Sequence, residues 1–159
     1  MRAAVNVAAK PFAELVITRD IGAPRPRVFA AWTDISQAAM WWAPKDCTLL
    51  DCAMELRVGG AWRRRMRVPG GGIVTKHGVY REIVPPERLV FTYNTEYPDG
   101  RIDSETVVTI TLAEVGGRTR LTLRHVNFET EELATSHRGG WSTALERFFE
   151  YIAESEQAQ

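Results

Sequence analysis

Apolar positions along this chain alternate with polar ones over most of its length and switch to a helical period in two places. Residues 12–21 are rich in β-branched and apolar side chains and end at Gly22-Ala23-Pro24, a breaker that also suits a helix start. Val28, Phe29 and Trp32 then recur at helical spacing, and Thr33-Asp34 closes that helix while capping a second one that carries Met40 and Trp41. Ala43-Pro44 stops the second helix, and 47–56 reads as a strand running into the Gly59-Gly60 turn. Five more strands are predicted over 61–68, 73–84, 88–95, 104–113 and 119–128. They are separated by Pro69-Gly70-Gly71-Gly72, Pro85-Pro86, Pro98-Asp99-Gly100 and Gly116-Gly117. From 129 to about 154, acidic residues precede Trp141, Leu145, Phe148 and Ile152 at helical spacing, so the chain closes on one long amphipathic helix.

This order predicts an α+β fold: a seven-stranded, curved and nearly all-antiparallel sheet, with strand one beside strand seven. One sheet face is buried by laying the last helix across it. Strand parity assigns the faces. Trp62, Arg64 and Met66 share the inner side, as do Leu89, Phe91 and Tyr93, and Leu121, Leu123 and His125. Arg63, Arg65, Arg67, Arg118, Arg120 and Arg124 fall opposite, as a solvated outer face. Residues 12–154 are expected to form one domain, with flexible tails over 1–11 and 155–159.

Composition removes several classes of function. Lys+Arg and Asp+Glu both number 20, which leaves no net field to draw the chain to nucleic acid. No window approaches the roughly 18–20 consecutive apolar residues of a membrane span, and the N-terminal stretch falls short of a secretory signal, so a cytoplasmic protein is expected. Cys47 and Cys52, five apart in one expected strand, should point to opposite faces as buried, unbridged thiols.

Four phrases carry a family resemblance. Ala23-Pro24 with Val28-Phe29 and Trp32-Thr33-Asp34 resembles the N-terminal signature of the START-like (SRPBCC) superfamily, the helix-grip fold of the birch-pollen allergen. Glu55-Leu56-Arg57-Val58-Gly59-Gly60 leading into Trp62-Arg63, Gly78 with Glu82-Ile83 and Pro85-Pro86-Glu87-Arg88-Leu89, and His137 with Gly140-Trp141 resemble the branch named after the activator of the heat-shock-protein-90 ATPase. The resemblance implies a sheet curled around the C-terminal helix with an elongated cavity between them. Members bind lipids, sterols, polyketides or hormones, and some are cyclases, dehydratases or hydrolases, so fold alone does not fix activity.

The residues contain no nucleophile elbow, phosphate loop, His-Glu-x-x-His or Cys-x-x-Cys, and no cofactor is implied. Parity and helix counting put His77, His125 and His137 on inner faces. His77 and His125 lie three strands apart, roughly 14 Å, too far to share a metal. Arg64 interrupts an apolar inner face and needs a partner, either a protein carboxylate or the carboxylate or phenolate of a ligand. Gly139-Gly140 weakens the last helix, as a close approach or space left for a bound molecule would require.

The leading expectation is a module binding a small apolar or amphipathic molecule. Its cavity would be lined by Trp62, Met66, Phe91, Tyr93, Val108, Ile110, Leu121, Leu123, Trp141, Leu145 and Phe148, with Arg64, His77, His125 and His137 as polar anchors. Alternatives are an enzyme of the cyclase, dehydratase or hydrolase kind using a cavity histidine, and a protein-interaction role through chaperone docking or a homodimer.

Overall fold

The computed structural model describes residues 13–157. Among them, seven strands and three helices follow the expected order: β1 (Ala13–Ile21), α1 (Arg25–Thr33), α2 (Ile35–Trp41), β2 (Thr48–Met54), β3 (Ala61–Arg67), β4 (Ile73–Val84), β5 (Arg88–Glu96), β6 (Thr106–Val115), β7 (Arg118–Phe128) and α3 (Glu131–Gln157). Every pairing is antiparallel, and the strands lie side by side as β1-β7-β6-β5-β4-β3-β2. The first strand pairs with the last, which lets the meander finish beside its own beginning. The expected N-terminal tail and residues 158–159 lie outside the described residues. Helix α3 continues to Gln157, past the end of its apolar stripe.

Local chemistry sets the helix ends. Pro24 caps α1 in extended geometry and Pro26 sits in its first turn, where a missing N–H costs nothing. Asp34 serves two helices: its N–H donates to the Ala30 carbonyl at 2.9 Å, ending α1, and its carboxylate accepts from the Ser36 N–H at 3.0 Å, starting α2. Glu131 and Glu132 place negative charge at the positive end of α3.

Helix α3 lies across β1 and β7 and against α2. Its apolar stripe, Trp141, Leu145, Phe148 and Ile152, is at most 4% exposed and joins one core with Leu15, Ile17, Val108, Ile110, Leu121 and Leu123. Each such side chain stabilises the fold by roughly 1.5–3 kcal/mol. Gly78 lets β4 and β5 close up, because a Cβ there would stand 1.9 Å from the Thr92 carbonyl oxygen. That same oxygen accepts from the Trp62 indole at 3.1 Å, tying β3 to β5 behind the glycine.

The outer arginines meet carboxylates in solvent: Arg65 with Asp51 at 2.7 Å, Arg120 with Asp20 at 2.8 Å and Arg124 with Glu14 at 2.9 Å. Such exposed pairs are worth about 1 kcal/mol or less.

Two face assignments require correction. The register of β2 against β3 shifts between Leu49 and Asp51, so Leu49 stands opposite Met66 and Cys52 opposite Arg64. The inserted residue cancels the odd spacing. Cys47, just before the strand, and Cys52 are both half-buried and packed against apolar clusters on the inner side, rather than on opposite faces. Both are free thiols, and burial pushes each pKa up. On β4, His77 pairs with outward Arg63, while Lys76 pairs with buried Arg64. His77 is therefore an outer-face residue and not a cavity anchor. Residues 73–80 carry apolar side chains on both parities, so alternation alone did not separate the faces.

Candidate functional site

Toward the N-terminal half of α3 the helix and sheet leave a recess of about 220 Å³. Its inner wall comes from β3 (Arg64, Met66), β4 (Val74, Lys76) and β5 (Tyr93, Thr95), and α3 covers it with His137, Gly140, Trp141 and Ala144. Exposed Ser136 and half-buried Pro44, Val68 and Tyr97 form its rim. Pro44, which stops α2, sits 3.8 Å from where a Gly140 Cβ would be, an ordinary contact distance, so α3 passes close to the rim at Gly140.

Arg64 is 4% exposed, yet only one of its nitrogens is bonded: Nη2 donates to the Tyr93 hydroxyl at 2.7 Å. Its Nε and Nη1 are buried with no hydrogen-bond partner. The protein carboxylate weighed as its partner is replaced by four aromatic rings, Trp42, Trp62, Tyr93 and Trp141, whose centroids lie 5.1–5.9 Å from the guanidinium carbon. Ring faces attract a cation but accept no conventional hydrogen bond. The desolvation of these two nitrogens is left unbalanced.

Lys76 lies beside Arg64 on the inner face of the sheet. Its side chain forms part of the recess wall, but its amine is deep: Nζ donates to Thr95 Oγ1 at 2.9 Å and approaches His137 Nε2 at 3.2 Å. Burial first, and Arg64 second, bring its pKa down to about 7, against a weak pull from Asp103. That aspartate is itself engaged, accepting from the Tyr97 hydroxyl at 2.5 Å. Among the described residues, no carboxylate forms an ion pair with Arg64 or Lys76.

The histidines divide into two roles. His137 donates from Nδ1 to the Leu133 carbonyl at 2.9 Å, which leaves the Nε2 lone pair facing Lys76 and Thr95. Burial and the Lys76 charge hold its pKa down to about 3, so the ring is a neutral acceptor in the recess wall. His125 is fully buried and fully bonded. It accepts from the Trp141 indole through Nδ1 at 3.0 Å and donates through Nε2 to Thr106 Oγ1 at 2.7 Å, and that hydroxyl in turn donates to the Tyr93 carbonyl at 2.6 Å. Burial drives its pKa well below the usual value. It braces Trp141 and Tyr93 from behind the recess.

Of the anticipated lining, Arg64, Met66, Tyr93, His137 and Trp141 come together at the recess. Trp62, Phe91, Val108, Ile110, Leu121, Leu123, Leu145 and Phe148 pack into the core. Phe148 stands edge-on to Trp41 at 4.8 Å, and Trp62 edge-on to Phe91 at 5.5 Å. Sequence reasoning missed Lys76 and Thr95. The available signal was register: once Arg64 is inward, its neighbour across β4 is inward too. Among the described residues, no group of three or more His, Cys, Asp or Glu could hold a metal ion, and no helix is long and apolar enough to cross a membrane.

A curved antiparallel sheet gripping one long C-terminal helix, with a recess between them, defines a helix-grip domain. Residues 22–153 match the family described as activator of Hsp90 ATPase homolog 1-like protein, and the chain belongs to that family. Solved structures agree. The AHSA1 protein of Silicibacter pomeroyi is 25% identical, with 90% of this chain and 99% of that one covered and a TM-score of 0.79. A protein from Arthrobacter aurescens, 25% identical, covers 89% of this chain and 86% of its own at a TM-score of 0.75. One from Rhizobium loti, also 25% identical, covers 87% and 96% at 0.74. No protein of curated function matches the chain.

Proposed function

We propose that this protein binds a small hydrophobic or amphipathic molecule in the recess between the sheet and α3. The supporting observation is the composition of that recess: Met66, Val74, Tyr93, Trp141 and Ala144 supply apolar wall, and a few polar groups converge on it. Membership of a helix-grip family is consistent with the reading. Size narrows the occupant. A volume of about 220 Å³ lies below the roughly 300–1,000 Å³ of sites for drug-sized ligands, and above the ~150 Å³ that suffices for benzene in an engineered apolar cavity. A single ring or a short chain fits better than a sterol or a long acyl chain.

Thermal unfolding against single-ring aromatics and short-chain amphiphiles is the test. A ligand at a hundred times its Kd stabilises by about 2.7 kcal/mol, which raises Tm by roughly 5–10 °C for a chain of this size. No rise with any compound, and no change in amide resonances around Tyr93 and Trp141, would sink the proposal.

A further inference from the structure

We propose that the occupant carries a carboxylate, received by Arg64 and Lys76, on an apolar body of about one ring that lies against Met66, Tyr93 and Trp141. This rests on the recess being a binding site and specifies the chemistry it selects.

Three observations converge on an anion. Arg64 Nε and Nη1 are buried and unpartnered, although Arg64 borders the recess. A buried guanidinium is ordinarily satisfied by a carboxylate or phosphate, with which its donors form short, charge-assisted bonds. Lys76, a second cation carrier, is its direct cross-strand neighbour, where like charges oppose each other. Neither side chain has a carboxylate in ion-pair contact among the described residues, and the nearby Asp103 is bonded to Tyr97. The arrangement is incomplete as a structural ion cluster and becomes complete when one negative group enters.

The remaining groups explain why the anion should be a carboxylate on a small body. The aromatic rings around Arg64 hold its guanidinium in place without consuming its donors, which leaves Nε and Nη1, on opposite sides of the group, unbonded for a small acceptor. Tyr93 Oη and His137 Nε2 flank the two cations and restrict the space to a small head group. His137, fixed by Leu133, offers its lone pair to the Lys76 amine, keeping that amine oriented rather than competing for the ligand's negative charge.

The test uses matched probes on the full chain: benzoate and 3-phenylpropanoate, their primary amides, and toluene, titrated by calorimetry and by NMR. The acids should bind at least tenfold more tightly than the amides. That preference should disappear in Arg64→Met and shrink in Lys76→Met. Because Arg64→Met could repack the recess, Tyr93→Phe serves as a second variant: it removes only the hydroxyl that holds Nη2, and should lower the preference for acid over amide. Equal affinity for acid and amide, with toluene also bound, overturns the carboxylate assignment and leaves the binding site intact. Binding of none of the five probes overturns both. Acid binding that survives in Arg64→Met overturns the role of the guanidinium.

Discussion

The two halves of helix α3 solve different problems. Its C-terminal half presses Phe148, 0% exposed, between Trp32 and Trp41 and buries Leu145 and Ile152 alongside; this end is apolar and filled. Its N-terminal half runs through Gly139 and Gly140 over a recess whose floor holds two cationic side chains. The filled end accounts for stability by burial alone. At the other end, Arg64 and the Lys76 amine are buried with no carboxylate in ion-pair contact among the described residues, an arrangement expected to cost stability in the free protein. Under the proposed function, that cost is offset when a ligand enters the recess.

The sharpest way to break this contrast is to truncate a side chain at each end. Phe148→Ala should cost about 3–5 kcal/mol in urea denaturation, since it opens a hole inside close packing. Met66→Ala at the recess wall should cost about 2 kcal/mol, because the space it vacates merges with one already there. Equal costs would mean that the two ends are packed alike.

A second measurement follows from Lys76. Its folded pKa, about 7, lies below the ordinary 10.5, so between these values the unfolded chain binds more protons and stability rises with pH. The unfavourable contribution is complete below about pH 7 and fades upward. The slope is best read from about pH 7 to 8, below the ordinary 9.0 of Cys47 and Cys52 and 10.0 of Tyr80 and Tyr93, all of which burial raises in the fold. The groups facing the amine are Arg64, Tyr93, Thr95, His137 and, at longer range, Asp103 and Cys47. In Lys76→Met the difference from wild type should shrink steadily over this interval; a constant difference would refute a depressed amine.

Arg64→Met should unfold at no lower a temperature than wild type when no ligand is present, because a buried, half-satisfied guanidinium gives way to an apolar side chain of similar reach. A clear loss would mean that its ring contacts and the Tyr93 bond outweigh its desolvation. The smallest expected effect is at Gly139, where an added Cβ meets nothing within 4 Å. Gly139→Ala should stabilise by about 1 kcal/mol through helix propensity, seen as a small rise in Tm.

Much of the architecture was legible because hydrophobic period and turn residues agree along most of the chain. Strands β3, β5 and β7 alternate cleanly enough to place Arg64, Tyr93 and His125 inward, and the terminal helix announces itself through Trp141, Leu145, Phe148 and Ile152. Legibility failed where alternation did. The irregularity in β2 near Leu50 reversed the relation of Cys47 to Cys52, and β4, apolar on both parities, traded His77 for Lys76. The lining was overestimated for another reason: Phe91, Val108, Leu121 and Phe148 look the same in a sequence whether they fill a core or border a void. Only the distance between helix and sheet separates the two, and that distance depends on every packed side chain at once.

Three of the five tryptophans, Trp42, Trp62 and Trp141, hold their rings over the Arg64 guanidinium. Indole emission is sensitive to a nearby charge, so neutralising that cation would change the optical surroundings of three of the five tryptophans together. The protein thus carries an unlabelled reporter for whatever enters beside α3.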